Sequence, residues 1–216
     1  MAATLKIDFV SDVVCPWCAI GLYGLLQGAA QARVELDLTF HPFELNPQMA
    51  PEGEDIAEHL IAKYGMSREQ LAQSQEAIRQ RGEALGFHFD MNARSRTYNT
   101  FDAHRLLHWA GELGAAQQLA LKQSLLHAYF GMGRNVSDAD VLVEAALAAG
   151  LDGEAAREVL ASPRYAGEVR EVERYYQQQG ITAVPAVIVN QQYLISGGQP
   201  PEAFAQALRQ IANGEA

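Results

Sequence analysis

Cys15 and Cys18 are the only cysteines in the chain. They stand two residues apart in the run Cys15-Pro16-Trp17-Cys18. Two thiols at that spacing can close a small disulfide and open it again. With no third thiol there is no framework of bridges for them to join, so their chemistry is read as redox chemistry. A structural disulfide across two residues would close too short a loop to constrain the unfolded chain. A zinc site would need two further ligands. The six histidines offer one helical pair, His104 and His108, with neither cysteine nor a carboxylate in clear register beside it. No metal site is expected.

The elements around the pair decide how the sulfurs behave. Leu5 to Val10 is an apolar run that reads as a buried strand, and Pro16 to Ala32 reads as a helix. If the helix begins at Pro16, where proline is favoured because its missing N–H would be unpaired anyway, Cys15 is the N-cap. Its thiolate then faces free backbone N–H groups and the positive end of the helix dipole. Cysteines so placed ionise at roughly pH 3.5 to 7.5, against about 8.5 for an unperturbed thiol. Cys18, one turn into the helix, is more buried and suited to resolving a mixed disulfide. Cys15 is thus the expected nucleophile and Cys18 the resolver.

Val34 to Phe40 alternates apolar and polar residues as a half-buried strand does, completing a strand–helix–strand unit for which parallel pairing is the default. Pro42, Asn46, Pro47, Pro51 and Gly53 punctuate a loop. From about Asp55 to Gln179 the pattern is helical, with no strong strand. Ser67 and Gln70 form a capping-box pattern, Gly114 breaks two helices, and Ser137 is read as the cap of a helix ending at Ala149. Strand character returns at Ala186 to Asn190 and Tyr193 to Ser196, and Pro200-Pro201 opens a last amphipathic helix. Residues 1–50 and 180–216 are therefore expected to form one discontinuous domain, and residues 51–179 a helical insertion. Val184-Pro185 stands just before the third strand.

The chain has 216 residues, 49% hydrophobic and 19% charged, with a formal net charge of −10. That is enough apolar material for a substantial core. The acidic balance argues against nucleic acid and anionic membrane surfaces as partners. No apolar run approaches the roughly 18 residues that would span a bilayer. The start, Met1-Ala2-Ala3-Thr4-Leu5-Lys6, lacks a charged segment followed by a long apolar one, so no signal peptide is read there. A cytoplasmic setting is expected, where a lone vicinal cysteine pair is usually catalytic or redox-sensing.

With Cys-Pro-Trp-Cys after the first strand, Val184-Pro185 before the third and Gly197-Gly198-Gln199-Pro200 before the last helix, the chain resembles the thioredoxin superfamily over nearly its whole length. It resembles more closely the DsbA-like branch, in which a helical insertion interrupts the thioredoxin-like α/β fold. Two further stretches resemble the FrnE-type subfamily: His41-Pro42-Phe43-Glu44-Leu45-Asn46-Pro47, and Asn99-Thr100-Phe101-Asp102-Ala103-His104-Arg105-Leu106-Leu107.

The resemblance implies a protein dithiol–disulfide oxidoreductase with Cys15 and Cys18 catalytic and a substrate held near Pro16, Trp17, Val184 and Pro185. It implies that Pro185 is cis and that the Val184 backbone docks an extended peptide or glutathione as an added strand. The redox-active Cys15–Cys18 disulfide serves without a bound cofactor, with glutathione a possible co-substrate. The partners implied are protein or small-molecule thiols and disulfides, and the chain is a monomer or homodimer. Trp17 stands where secreted DsbA oxidants carry histidine, which implies a less depressed Cys15 and a less oxidising couple. Asp8 and Asp12 are both candidates for a proton-relay carboxylate. Related 2-hydroxychromene-2-carboxylate isomerases and kappa-class glutathione transferases carry serine at the position of Cys15. Their glutathione-dependent chemistry and a redox-sensor or chaperone role are the alternative readings. Gly21, Gly24 and Gly28 form a stripe on the first helix, expected to mark close backbone packing or a dimer contact.

Overall fold

The computed structural model describes residues 3–215; Met1, Ala2 and Ala216, which the leader and domain-limit readings touch, lie outside the described residues. Strand β1 (Thr4–Ser11) leads into helix α1 (Pro16–Ala32) and strand β2 (Glu35–Pro42). β1 pairs parallel with β2, Phe9 opposite Phe40 and Val10 opposite His41. The chain then leaves the sheet for a long helical region. It returns as β5 (Ala186–Val189) and β6 (Tyr193–Ser196), antiparallel to each other, with β5 antiparallel to β1. The order is β2-β1-β5-β6, and helix α9 (Pro201–Asn213) closes the chain. This is a thioredoxin-like α/β fold with a helical insertion.

The helices of the insertion are α2 (Ile56–Tyr64), α3 (Arg68–Ala84), α4 (Phe101–Leu113), α5 (Ala115–Leu126), α6 (Ala139–Ala148), α7 (Gly153–Leu160) and α8 (Ala166–Gln178), with one wider π-type turn at His127–Gly131 continuing α5. The insertion is not wholly helical as expected. A two-residue antiparallel ladder joins β3 (Glu54–Asp55) to β4 (Arg96–Thr97). So short a ladder has no period to read in the sequence, and the Arg96 guanidinium reinforces it by donating to the carbonyls of Glu52 and Gly53. The cap of α6 is Asp138, not Ser137: the Asp138 carboxylate accepts from the backbone N–H of Asp140 and Val141, while the Ser137 hydroxyl donates to the Pro51 carbonyl.

Two contacts fix the insertion over the sheet and α1. The aromatic cluster of Phe87, Phe89, Tyr129 and Phe130 meets α1 through Tyr23, whose ring centroid lies 5.0 Å from that of Phe87. Gln118 of α5 acts as a one-residue strand on the open edge of β2. Its Oε1 accepts from Phe40 N–H at 2.8 Å, and its Nε2 donates to the carbonyls of Phe40 and Leu107, each at 3.1 Å. A buried edge strand must have its polar groups met, and here a side chain of the insertion meets them.

The glycine stripe on α1 faces the last helix and the loop before it. A Cβ on Gly24 would lie 2.6 Å from the Gln199 carbonyl oxygen. One on Gly28 would lie 2.6 Å from Phe204 Cβ and 2.8 Å from the Pro201 carbonyl oxygen. The stripe therefore lets two helices approach backbone to backbone within one chain.

Candidate active site at the first strand-to-helix junction

Cys15 occupies the N-cap of α1 with extended backbone (φ −89°, ψ 114°), Pro16 opens the helix, and no acidic residue stands in its first turn. Within the helix itself nothing offsets the positive end of the dipole; the opposing charge is the Asp12 carboxylate in the turn before it. Both cysteines are free thiols that approach to 3.5 Å. Cys15 keeps 4% exposure and Cys18 none.

The two thiols ionise differently. A hydrogen bond from the Cys18 thiol is the main influence holding Cys15 below the ordinary thiol range. Burial and the Asp12 carboxylate oppose it, and the backbone N–H groups of Cys18 and Trp17 assist. Burial pushes Cys18 far above the usual range, and the Cys15 sulfur adds to the rise. Ionisation is thus favoured at one sulfur and opposed at the other.

Residues distant in sequence close the site. The Val184–Pro185 bond is cis, and the Val184 carbonyl accepts the Cys15 S–H at 3.8 Å. Pro185 is buried. Its ring sits where a Cβ on Gly21 would come within 2.9 Å of Cγ, so the first glycine of the stripe makes room for the proline loop. The Pro185 carbonyl accepts from Gly197 N–H at 2.9 Å. Gly198 is the close approach on the other side: a Cβ there would meet the Trp17 carbonyl oxygen at 2.9 Å. Trp17 is half-buried, and the Arg81 guanidinium of α3 lies 5.0 Å from its ring centroid.

The two carboxylate candidates separate cleanly. Asp8 accepts from His41 Nε2 at 2.8 Å, and that bond holds its carboxyl below the ordinary range; it sits on the β1–β2 seam. Asp12 is wholly buried beside the cysteines. Its Oδ2 accepts Leu45 N–H at 2.7 Å, and its Oδ1 stands 3.4 Å from His104 Nε2. Burial pushes Asp12 up, but His104, Leu45 and Thr100 outweigh it, and the carboxyl stays below the ordinary value. Leu45 and His104 belong to the two stretches singled out in the sequence, so both converge on one buried carboxylate.

The sequence reading missed Lys122. It is fully buried on α5, and burial lowers its basicity, opposed by Cys18, Asp12 and Cys15. A signal was present: Gln118, Leu121, Lys122, Leu125 and Leu126 are the buried stripe of α5, and a lysine at core spacing between leucines is out of place unless something needs it. His108 lies apart from the cysteines, its ring 5.1 Å from that of Tyr165. Among the described residues no three or more His, Cys, Asp or Glu side chains converge as a metal site requires. No described helix is long and apolar enough to cross a membrane.

The sequence profile of the DSBA-like thioredoxin domain matches residues 6–209. The chain belongs to that family. Among solved DsbA-like structures, a probable DsbA oxidoreductase from Streptomyces coelicolor is 37% identical, covering 98% of this chain and 91% of its own, with a TM-score of 0.89. A cytosolic disulfide reductase, DsbM from Pseudomonas aeruginosa, solved with glutathione, shares the fold at 16% identity and a TM-score of 0.66, covering 97% of this chain and all of its own. The uncharacterized protein YwbO of Bacillus subtilis is 26% identical over 206 residues, 95% of this chain and 96% of that one. This DsbA-like chain is thus one of an oxidoreductase family, with its cysteine pair at the helix start.

Proposed function

We propose that this protein exchanges disulfides through Cys15 and Cys18. The observation that carries the reading is the asymmetry of the pair: a sulfur at a helix start with its ionisation favoured, beside a fully buried sulfur with its ionisation opposed. The Cys15 thiolate attacks one sulfur of a substrate disulfide, forming a mixed disulfide and releasing the other half as a thiolate. Cys18 then attacks Cys15 Sγ, the protein disulfide closes, and the second half departs. The substrate gains two electrons and the protein dithiol loses them; the reverse sequence oxidises a substrate dithiol. Pro16, Trp17, Val184 and Pro185 form the docking face. An extended peptide or glutathione lies along the Val184 backbone, displacing the Cys15 S–H from its carbonyl. The setting is the cytoplasm, in keeping with the sparse use of cysteine, and a thiol such as glutathione returns the electrons.

Alkylation rate against pH tests the assignment. Cys15 is expected to react at a pH below that of an unperturbed thiol, and Cys18 far more slowly. Cys15→Ser abolishes disulfide turnover, and Cys18→Ser accumulates mixed disulfides. Equal reactivity of the two thiols overturns the assignment. Turnover that survives Cys18→Ser and requires added glutathione replaces it with isomerase or transferase chemistry. Redox-dependent partner binding without turnover replaces it with a sensor.

A further inference from the structure

Resting on the disulfide-exchange reading, we propose that Arg81, supplied by the insertion, makes the protein select acidic peptide disulfides, those with a carboxylate side chain next to the half-cystine.

The face around Cys15 is built from uncharged chain. Residues 13–32, which include the cysteine run and all of α1, contain no Asp, Glu, Lys, Arg or His. Neither do residues 175–201, which include Val184, Pro185 and the Gly197-Gly198-Gln199-Pro200 turn. Asp12 is wholly buried and presents no charge to a substrate. A chain of net charge −10 therefore offers its thiol on segments with no surface charge of their own. The insertion adds one: the Arg81 guanidinium lies 5.0 Å from the ring centroid of Trp17, two residues along from Cys15.

The root of that side chain is fixed. Gly82 follows Arg81, and a Cβ there would lie 2.6 Å from the Phe87 carbonyl oxygen and would overlap the Phe89 ring. This turn of α3 is thus pressed onto the aromatic cluster. Gln27 of α1 donates from Nε2 to the Leu85 carbonyl at 2.9 Å, which ties the end of α3 to the helix that carries the cysteines. The head is unspent. Arg79, two residues earlier, is paired with Glu76 and Glu83. Arg81 is exposed, and among the described residues no carboxylate pairs with it. Its place in the last turn of α3 and its contact with the ring use its charge but not its N–H donors. A guanidinium held by an aromatic face keeps a planar fork that fits a carboxylate.

The acidic surface as a whole repels an anionic substrate, but those charges are screened beyond about 10 Å at 0.1 M salt. A contact with Arg81 is not, so the local cation decides the preference. The substrate strand along the Val184 backbone then presents the neighbour of its half-cystine to Trp17 and Arg81. Arg81 acts on the choice of substrate; the exchange of sulfurs is unchanged.

Three blocked peptide disulfides test this: the symmetric dimers of Glu-Cys-Glu, Gln-Cys-Gln and Lys-Cys-Lys. Each is mixed with reduced protein at neutral pH and about 0.1 M salt, and the released peptide thiol is followed by acid quenching. The Glu peptide is expected to react fastest and the Lys peptide slowest. In Arg81→Gln the Glu rate should fall about fivefold, the upper end for an exposed ion pair, and the Lys rate should rise about twofold, so that their ratio drops about tenfold. Differences in the peptides' own reactivity cancel between variants. Arg81→Lys, which keeps the charge without the fork, should retain part of the preference, and Arg81→Glu should invert it. Salt raised to about 1 M should flatten the preference of the unaltered protein. A Glu-to-Lys ratio that is the same with and without Arg81 overturns the proposal. So does an equal slowing of all three peptides together with alkylation of Cys15 by neutral iodoacetamide, which would mean that the arginine acts on the thiolate. Unaltered protein that exchanges with none of the peptides removes the disulfide-exchange reading itself. Exchange whose charge preference is indifferent to Arg81 removes only the role given to the arginine.

Discussion

Replacing Gly28 by alanine sets helix propensity against helix packing, and the structure says which wins. Alanine in a helix interior is favoured over glycine by about 1 kcal/mol. At Gly28 the new Cβ would lie 2.6 Å from Phe204 Cβ and 2.8 Å from the Pro201 carbonyl oxygen. Neither atom is the free end of a side chain: Phe204 is fully buried, and the other is backbone at the start of α9. Overpacking of this kind costs about 1–3 kcal/mol, and rigid neighbours place it toward the upper end. The net expectation is a loss of about 2 kcal/mol, or a Tm lower by about 4–8 °C for a chain of this size. Gly167→Ala in α8 is the control, since a Cβ there meets nothing within 4 Å; it should be neutral or stabilising by up to about 1 kcal/mol. Urea unfolding of the reduced proteins, with equal m-values as a check on two-state behaviour, measures both. Gly28 lies three turns from the cysteines, so the Cys15 alkylation rate should hold in Gly28→Ala. Gly21→Ala, whose Cβ would press on Pro185, should change it by moving the Val184 carbonyl off the sulfur. A Gly28→Ala protein as stable as the parent would refute close backbone contact between α1 and α9.

Two other expectations follow from the site's electrostatics. Asp8 has its carboxyl held below the ordinary value by His41, so this stability is present above the unfolded pKa of about 3.9 and is lost as pH falls through the lower folded value. Asp8→Asn should cost about 1.5–3 kcal/mol at neutral pH, as loss of a bond to a charged group does, and should flatten the acid limb of Tm against pH; an unchanged limb would mean that other carboxylates govern acid unfolding. At Trp17, histidine is expected to stabilise the Cys15 thiolate and make the couple more oxidising, with about 1.4 kcal/mol of stabilisation of the reduced form corresponding to roughly 30 mV. Arg81 over that position disfavours a charged imidazole, so Trp17→His combined with Arg81→Ala should shift the potential further than Trp17→His alone. Equilibration against glutathione buffers reads both, and a null or reducing shift in each would leave Trp17 only a shape-determining role.

The local features were legible because local signals write them. Proline after Cys15 and the apolar run before it set the start of α1, and helix α1 spans Pro16–Ala32 as read. β2 and the β5–β6 hairpin follow from alternation and from the turn at Gln191-Gln192, within a residue or two at their ends. The motif stretches around Leu45 and His104 were visible as stretches, but not their purpose, because nothing in either one says that both close on Asp12. That required β1, β2 and α4 to be brought together. Asp8 and Asp12, four residues apart, are indistinguishable carboxylates in sequence. The fold pairs one with His41 on the sheet and buries the other under the thiols. The glycine stripe announced close packing, and only the crossing of α1 with α9 named the partner. Lys122, Gln118 and Arg81 reach the site or its supporting strand from the insertion, across sequence separations over which spacing carries no information. Whether a polar residue on a helix meets water, a strand edge or a sulfur depends on what packs opposite it, and tertiary structure alone decides that.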